Sequence, residues 1–185
     1  MKNEILSSKI CRCFDCRQVL YEESMFDGQK VSKSRIITSV DYSMVSMEAF
    51  EIYAANHDIH VMDFVLKLDA YSYYMMNLLD YLIGNTDRHW GNWGFLVDNR
   101  TNQPVRLFDL MDLNQTFLAY DTPDGANCMT TGNRKMSQRE AAVEAVKKIG
   151  LNQRAEIKDE WFKGREKERE MFWCRFGILK EQWKA

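Results

Sequence analysis

Nothing in the 185 residues resembles a membrane span: no apolar run approaches the roughly 20 residues a spanning helix needs. Charge of one sign is equally scarce. The formal net charge is −2, which excludes bulk attraction to nucleic acid or to an anionic bilayer. The start, Met1-Lys2-Asn3-Glu4, lacks the charged-then-apolar order of a signal peptide, so a cytoplasmic protein is the default reading, with secretion left open. Five cysteines are present, three of them crowded at Cys11, Cys13 and Cys16. No second cysteine or histidine pair sits at zinc-ligand spacing from them, so reduced thiols near a helix end are the simpler reading. There is no internal repeat and no linker separating independent domains.

What is present is enough apolar sequence for a core: 45% of residues are hydrophobic, which argues against wholesale disorder. Apolar residues recur at helical spacing from Lys2 to Phe14. The runs Val19 to Phe26 and Val31 to Thr38 flank Asp27-Gly28, a strong hairpin signal. After Asp41 the pattern turns helical, with Ser46 as cap of a short helix through Asn56 and Glu48 in its first turn. Met62 to Ile83 carries a wide apolar stripe that predicts a central helix, stopped by Gly84. Trp93 to Val97 and Val105 to Phe108 predict a small hairpin. Thr116 to Arg134 reads as loop. Ser137 and Glu140 form a capping box for a helix closed by Gly150. Asn152 to Lys184 reads as helical, with Lys163 to Glu170 as a solvated, ion-paired face and Phe172, Trp173, Phe176, Leu179 and Trp183 packing inward. The expected class is α+β, mostly α.

The chemistry concentrates in Asn85-Thr86-Asp87-Arg88-His89-Trp90-Gly91-Asn92, followed by Phe108-Asp109-Leu110. Phosphoryl transfer needs an oriented acceptor hydroxyl, neutralised phosphate charge and magnesium. Asp87 can take or orient the hydroxyl proton. Asn92, five residues on, offers a neutral oxygen to magnesium, and Asp109 a carboxylate to the same ion. His89 either holds Asp87 through the loop backbone or stabilises phosphate charge. A single Asp or Asn in such a loop is more often a turn former. The full set, placed after a long apolar helix and before an apolar run ending in Asp, favours function.

These motifs resemble the HipA-like kinases, a bacterial branch of the protein kinase-like fold. The segment from Asn85 to Asn92 is similar to that family's catalytic loop, and Asp-Arg-His-x-x-Asn is also similar to the loop of phosphoinositide lipid kinases. Phe108-Asp109-Leu110 resembles the family's metal-binding segment. The resemblance implies Asp87 and His89 as catalytic residues, Asn92 and Asp109 as magnesium ligands, and ATP as cofactor. It makes Glu4, on the first helix, the partner of a nucleotide-gripping lysine. It makes Ile36, Ile37, Thr38 and Ser39 the hinge that meets adenine. Residues 1–42 would then be the end of a small lobe (helix, hairpin and hinge) and residues 43–185 a helical large lobe. The expected reaction is transfer of the ATP γ-phosphate to a protein Ser/Thr hydroxyl. The family's glycine-rich strand-turn-strand and lysine find no counterpart before Glu4, so activity of this chain alone is expected to be weak or absent. Two rival readings follow. One is a non-catalytic, pseudokinase-like interaction module, with a small antitoxin-like partner as in toxin-antitoxin pairs. The other is a metal-dependent hydrolase using Asp87, His89 and Asp109. An exposed hairpin edge also offers a route to a homo-oligomer.

Overall fold

The computed structural model describes residues 1–118, 120–131 and 135–184. The first helix, α1 (Lys2–Cys11), leads into a hairpin of β1 (Glu22–Phe26) and β2 (Gln29–Lys33). Then come β3 (Tyr42–Ser46), α2 (Met47–Ala55), the long α3 (Val61–Ile83), β4 (Gly94–Asp98), β5 (Gln103–Leu107), α4 (Gln138–Ile149) and α5 (Glu166–Lys184), with a 3₁₀ turn at Asp159–Phe162. β1 and β2 form their own antiparallel pair; β3, β4 and β5 form a second antiparallel sheet in that order. The class is α+β, with helices dominant.

Local signals explain several elements. Asp27 and Gly28 both have positive φ (49° and 73°), the backbone a two-residue hairpin turn requires. Ser46 caps α2 by accepting the Ala49 N–H. Ser137 and Glu140 make the reciprocal capping box at α4. Gly84 ends α3 in the left-handed region (φ 59°, ψ 46°). A Cβ there would fall 2.3 Å from the Tyr120 ring, so glycine is required twice over, by conformation and by space.

The second half of α3 is the axis of the molecule. Met75 through Ile83 are all buried, so this stretch is surrounded by protein rather than merely amphipathic. α1 contributes Leu6, Ile10 and Cys11 to the same core, α4 Ala142, Ala145 and Val146, and α5 Phe172, Phe176 and Leu179.

Four sequence expectations are corrected. Tyr42–Ser46 is a strand, not the approach to a helix, because it pairs with β4 from Tyr42↔Asp98 to Ser46↔Gly94. α1 stops at Cys11 rather than Phe14. Its tail tightens through Cys13 N–H to Ile10 O and Phe14 N–H to Cys11 O, then turns so that Asp15 N–H meets Asn152 O. Residues 152–165 are not helical apart from the 3₁₀ turn. Asn152 has positive φ, and Arg154 and Ala155 donate to Cys13 O, so a long-range backbone pairing replaces the helix. Trp183 does not pack inward; it is largely exposed. The loop read from Thr116 to Arg134 is irregular where described; Ala119 and residues 132–134 lie outside the described residues.

Candidate active site

The loop from Asn85 to Asn92 follows Gly84 directly and is held from beneath by α3. Asp80, near the end of that helix, is buried and accepts from Arg88 Nε (2.8 Å) and Nη2 (3.1 Å). Asp80 also accepts from Asn85 Nδ2 at 2.9 Å. Arg88 is only 3% exposed. Burial alone would lower its pKa, but the Asp80 carboxylate outweighs that and raises it, so the guanidinium stays charged. Its remaining nitrogen, Nη1, donates to two carbonyls, Asn92 O (2.8 Å) and Met111 O (2.6 Å). One buried cation therefore ties the end of the loop to the segment after β5. The sequence reading passed over both Asp80 and Arg88. The signal was available in an acidic residue on the fully apolar end of a helix, which must find a partner.

Above this clamp the predicted residues gather. Asn85 Oδ1 accepts the Asp87 N–H (3.2 Å). Asn92 Nδ2 donates to Asp87 O (2.9 Å) and, more weakly, to Asp87 Oδ2 (3.3 Å). His89 Nδ1 accepts the Gly91 N–H at 3.0 Å, which places the ring proton on Nε2. That nitrogen faces Asp87 Oδ1 at 3.7 Å, beyond direct hydrogen-bond reach. Asp87 and His89 are both partly open to solvent.

Asp109 lines a small cavity together with Arg88 and Asn92. Its carboxylate accepts from Arg106 Nη1 at 2.5 Å, while Leu110 beside it is zipped to Arg17 O and Val19 N. A neighbouring carboxylate, Asp112, is held by its backbone instead. Its φ is 54°, its N–H donates to the Tyr21 hydroxyl at 3.1 Å, and the residue before it is the one Arg88 grips. Burial pushes the Tyr21 phenol up, and the nearby charges of Glu4 and Asp112 push the same way. Among the described residues no hydrogen bond or ion pair is made to the half-buried Asp112 carboxylate or to Asn92 Oδ1, although the buried Arg88 charge is felt at Asp112. The Asn92 amide oxygen lies on one residue whose carbonyl Arg88 holds, and the Asp112 carboxylate lies next to another; an amide oxygen and a carboxylate are ligand types that a hard divalent cation takes while keeping several waters. Asp109, the expected metal ligand, ends the apolar run; Asp112 is a second carboxylate nearby in the chain, and its left-handed φ is visible only in three dimensions.

Glu4 sits in the first turn of α1, half-buried and in no ion pair among the described residues. Ile37 lines an open cleft of about 560 Å³ together with Val19, Leu20, Lys33, Arg35 and Asp109. Ile36 and Thr38 are exposed. Ser39 turns the chain by accepting the Asp41 and Tyr42 N–H groups. No three His, Cys, Asp or Glu side chains cluster around a common point among the described residues. The hydrolase reading, which needs Asp87, His89 and Asp109 together, therefore lacks its ligand set.

No family model matches the sequence, and no curated protein matches it. Solved structures do. The crystal structure of a Helicobacter pylori proinflammatory kinase, CtkA, matches over 98% of this chain and 81% of that one, with a TM-score of 0.67 and 14% sequence identity. No helix among the described residues is long and apolar enough to cross a membrane. At that level of identity the likeness speaks for architecture: the chain has a kinase-like fold.

Proposed function

We propose that this chain is a HipA-like serine/threonine kinase that transfers the γ-phosphate of ATP to a protein hydroxyl. The observation that carries this reading is the joint anchoring of Asn92 and Met111-Asp112 by Arg88, with Asp87 hydrogen-bonded to the same asparagine. Asp87 orients the acceptor hydroxyl and takes its proton. His89 stands beside Asp87 and stabilises charge as it develops. Asn92 and Asp112 hold magnesium; Asp109, the carboxylate favoured by sequence, is engaged by Arg106 and shapes the cleft wall. Magnesium, when bound, neutralises charge on the phosphate oxygens. Adenine would rest in the cleft against Ile37, with Ile36, Thr38 and Ser39 as the hinge and Glu4 facing the phosphate side. Thermal unfolding with and without magnesium and ATP is the direct test. Binding at one hundred times Kd should add about 2.7 kcal/mol, and no shift with either ligand would refute the nucleotide site.

A second reading rests on Glu4, which forms no ion pair among the described residues. By it the chain is a non-catalytic interaction module that binds an antitoxin-like partner, or a second copy, through the exposed hairpin. It expects the same measurement to stay flat, and phosphate transfer to be absent.

A further inference from the structure

We infer that Asp69, with Arg17, is a positioning residue that sets where the segment 107–112 stands against the catalytic loop. The inference rests on the kinase reading for its functional consequence, and on the geometry alone for its structural one.

The long helix α3 is interrupted at Asp69 (φ −155°, ψ 62°), with no proline or glycine nearby to cause it. The cause is the side chain's own bonding. Asp69 Oδ1 accepts the Ser72 N–H at 3.2 Å, so the residue caps the second half of the helix. Asp69 Oδ2 reaches out of the helix, accepting the Leu107 N–H (3.1 Å) and Arg17 Nη2 (2.6 Å). Arg17 Nη2 also donates to Ser72 Oγ at 2.7 Å. The main chain of Arg17 then accepts from Leu110, and Val19 donates back to Leu110. The segment carrying Asp109 and Asp112 is thus fastened to α3 at Leu107 and to the chain after α1 at Leu110.

Asp69 and Asp80 are eleven residues apart, about 16 Å and close to three full turns of helix, so they share one face. Asp80 grips the catalytic loop through Arg88; Asp69 grips the end of β5. Ser72 and Met76, between them on that face, line a small cavity of about 20 Å³ with Arg17, Arg88, Asn92 and Asp109. The face is a ruler whose two carboxylates fix the spacing of two loops that must meet around one ion. A helix that only had to fill the core would need neither the break nor the outward-facing oxygen.

Two variants separate positioning from stability. Asp69→Ala removes both grips. Arg17→Ala leaves the Asp69 cap on Ser72 and is expected to fold, because the Arg17 side chain is half exposed. Tyr71→Phe, which removes the bonds of the Tyr71 hydroxyl to Asp15 and leaves Arg17 and Asp69 in place, serves as a control. Amide hydrogen exchange, read without any ligand, should speed up at least tenfold at Leu110 and Asp112 in both Asp69→Ala and Arg17→Ala, but not in the control. The magnesium concentration needed for half-maximal ADP binding should rise about tenfold in the same two variants. A purely structural role would lower the melting temperature and leave both readouts at the wild-type value. Unchanged exchange at Leu110 and Asp112 in Arg17→Ala overturns the inference. A wild type that binds no ADP counts against the kinase reading instead, and leaves the exchange result to decide this one.

Discussion

The loop from Asn85 to Asn92 and the β1–β2 hairpin are built to opposite standards. The loop from Asn85 to Asn92 is short and irregular, yet nearly every polar group in it has a partner, and a buried ion pair holds it from below. The hairpin is regular and correctly capped, yet no residue of either strand is buried. Met25 is 60% and Phe26 74% exposed. A two-stranded hairpin alone is marginal in water. Regular hydrogen bonding does not make a region rigid; partners outside the element do. The loop's geometry is fixed by Asp80 and Arg88, whereas the hairpin's register is fixed by its turn and little else.

Breaking the loop's anchor should give the largest effect. Arg88→Ala leaves Asp80 buried and unpaired, and should cost about 3–5 kcal/mol. For a chain of this size that is a fall of roughly 10 °C in melting temperature, accompanied by loss of any phosphate transfer. Asp87→Ala should divide chemistry from folding: transfer from labelled ATP falls about 10²–10⁴-fold, while stability by urea denaturation moves by less than about 0.5 kcal/mol. A variant that keeps full transfer would remove Asp87 from its role. Asp112→Asn and Asp109→Asn sharpen the choice between the two carboxylates. The first should abolish magnesium-dependent nucleotide binding in calorimetry. The second should weaken it less, because its partner Arg106 already neutralises that carboxylate.

Smaller effects probe the periphery. Burial pushes the Cys16 thiol up to about 12, with the Asp109 charge adding to it, and burial raises Cys11 well above its ordinary value. Maleimide at pH 7.5 should therefore label the exposed Cys174 well before either, as peptide mapping would read, since only the thiolate reacts. Phe26→Ser should be the mildest: under about 0.5 kcal/mol in stability, with any self-association seen by sedimentation reduced. A large loss of stability there would mean that the hairpin is anchored after all.

The elements legible in the sequence were those whose causes are local. Ser46, Gly84, Ser137 with Glu140, and Asp27-Gly28 each act through their own or the next turn's backbone, so reading them required no tertiary information. Strand β3 was missed because Tyr42–Ser46 becomes a strand only by meeting β4, about fifty residues on. Residues 152–155 were misread because their backbone bonds go to Cys13 and Asp15 at the other end of the chain. Within the site, Asp87, His89 and Asn92 stood out by their spacing. Asp80 and Arg88 did not, because a buried pair on a helix and a loop leaves no periodic trace in sequence.

The sequence by itself determined that this chain is mostly helical, where its helices are capped, and that one loop gathers an acid, an imidazole and a carboxamide; those follow from residue chemistry within a few positions of each other. Only the tertiary structure decided what holds that loop in place, the buried Asp80–Arg88 pair and its grip on Asn92 O and Met111 O. Arg17 meets Asp69 from far along the chain, and Arg88 reaches back to Asp80 on the helix before it; a charge buried by folding takes whichever opposite partner the fold brings within reach.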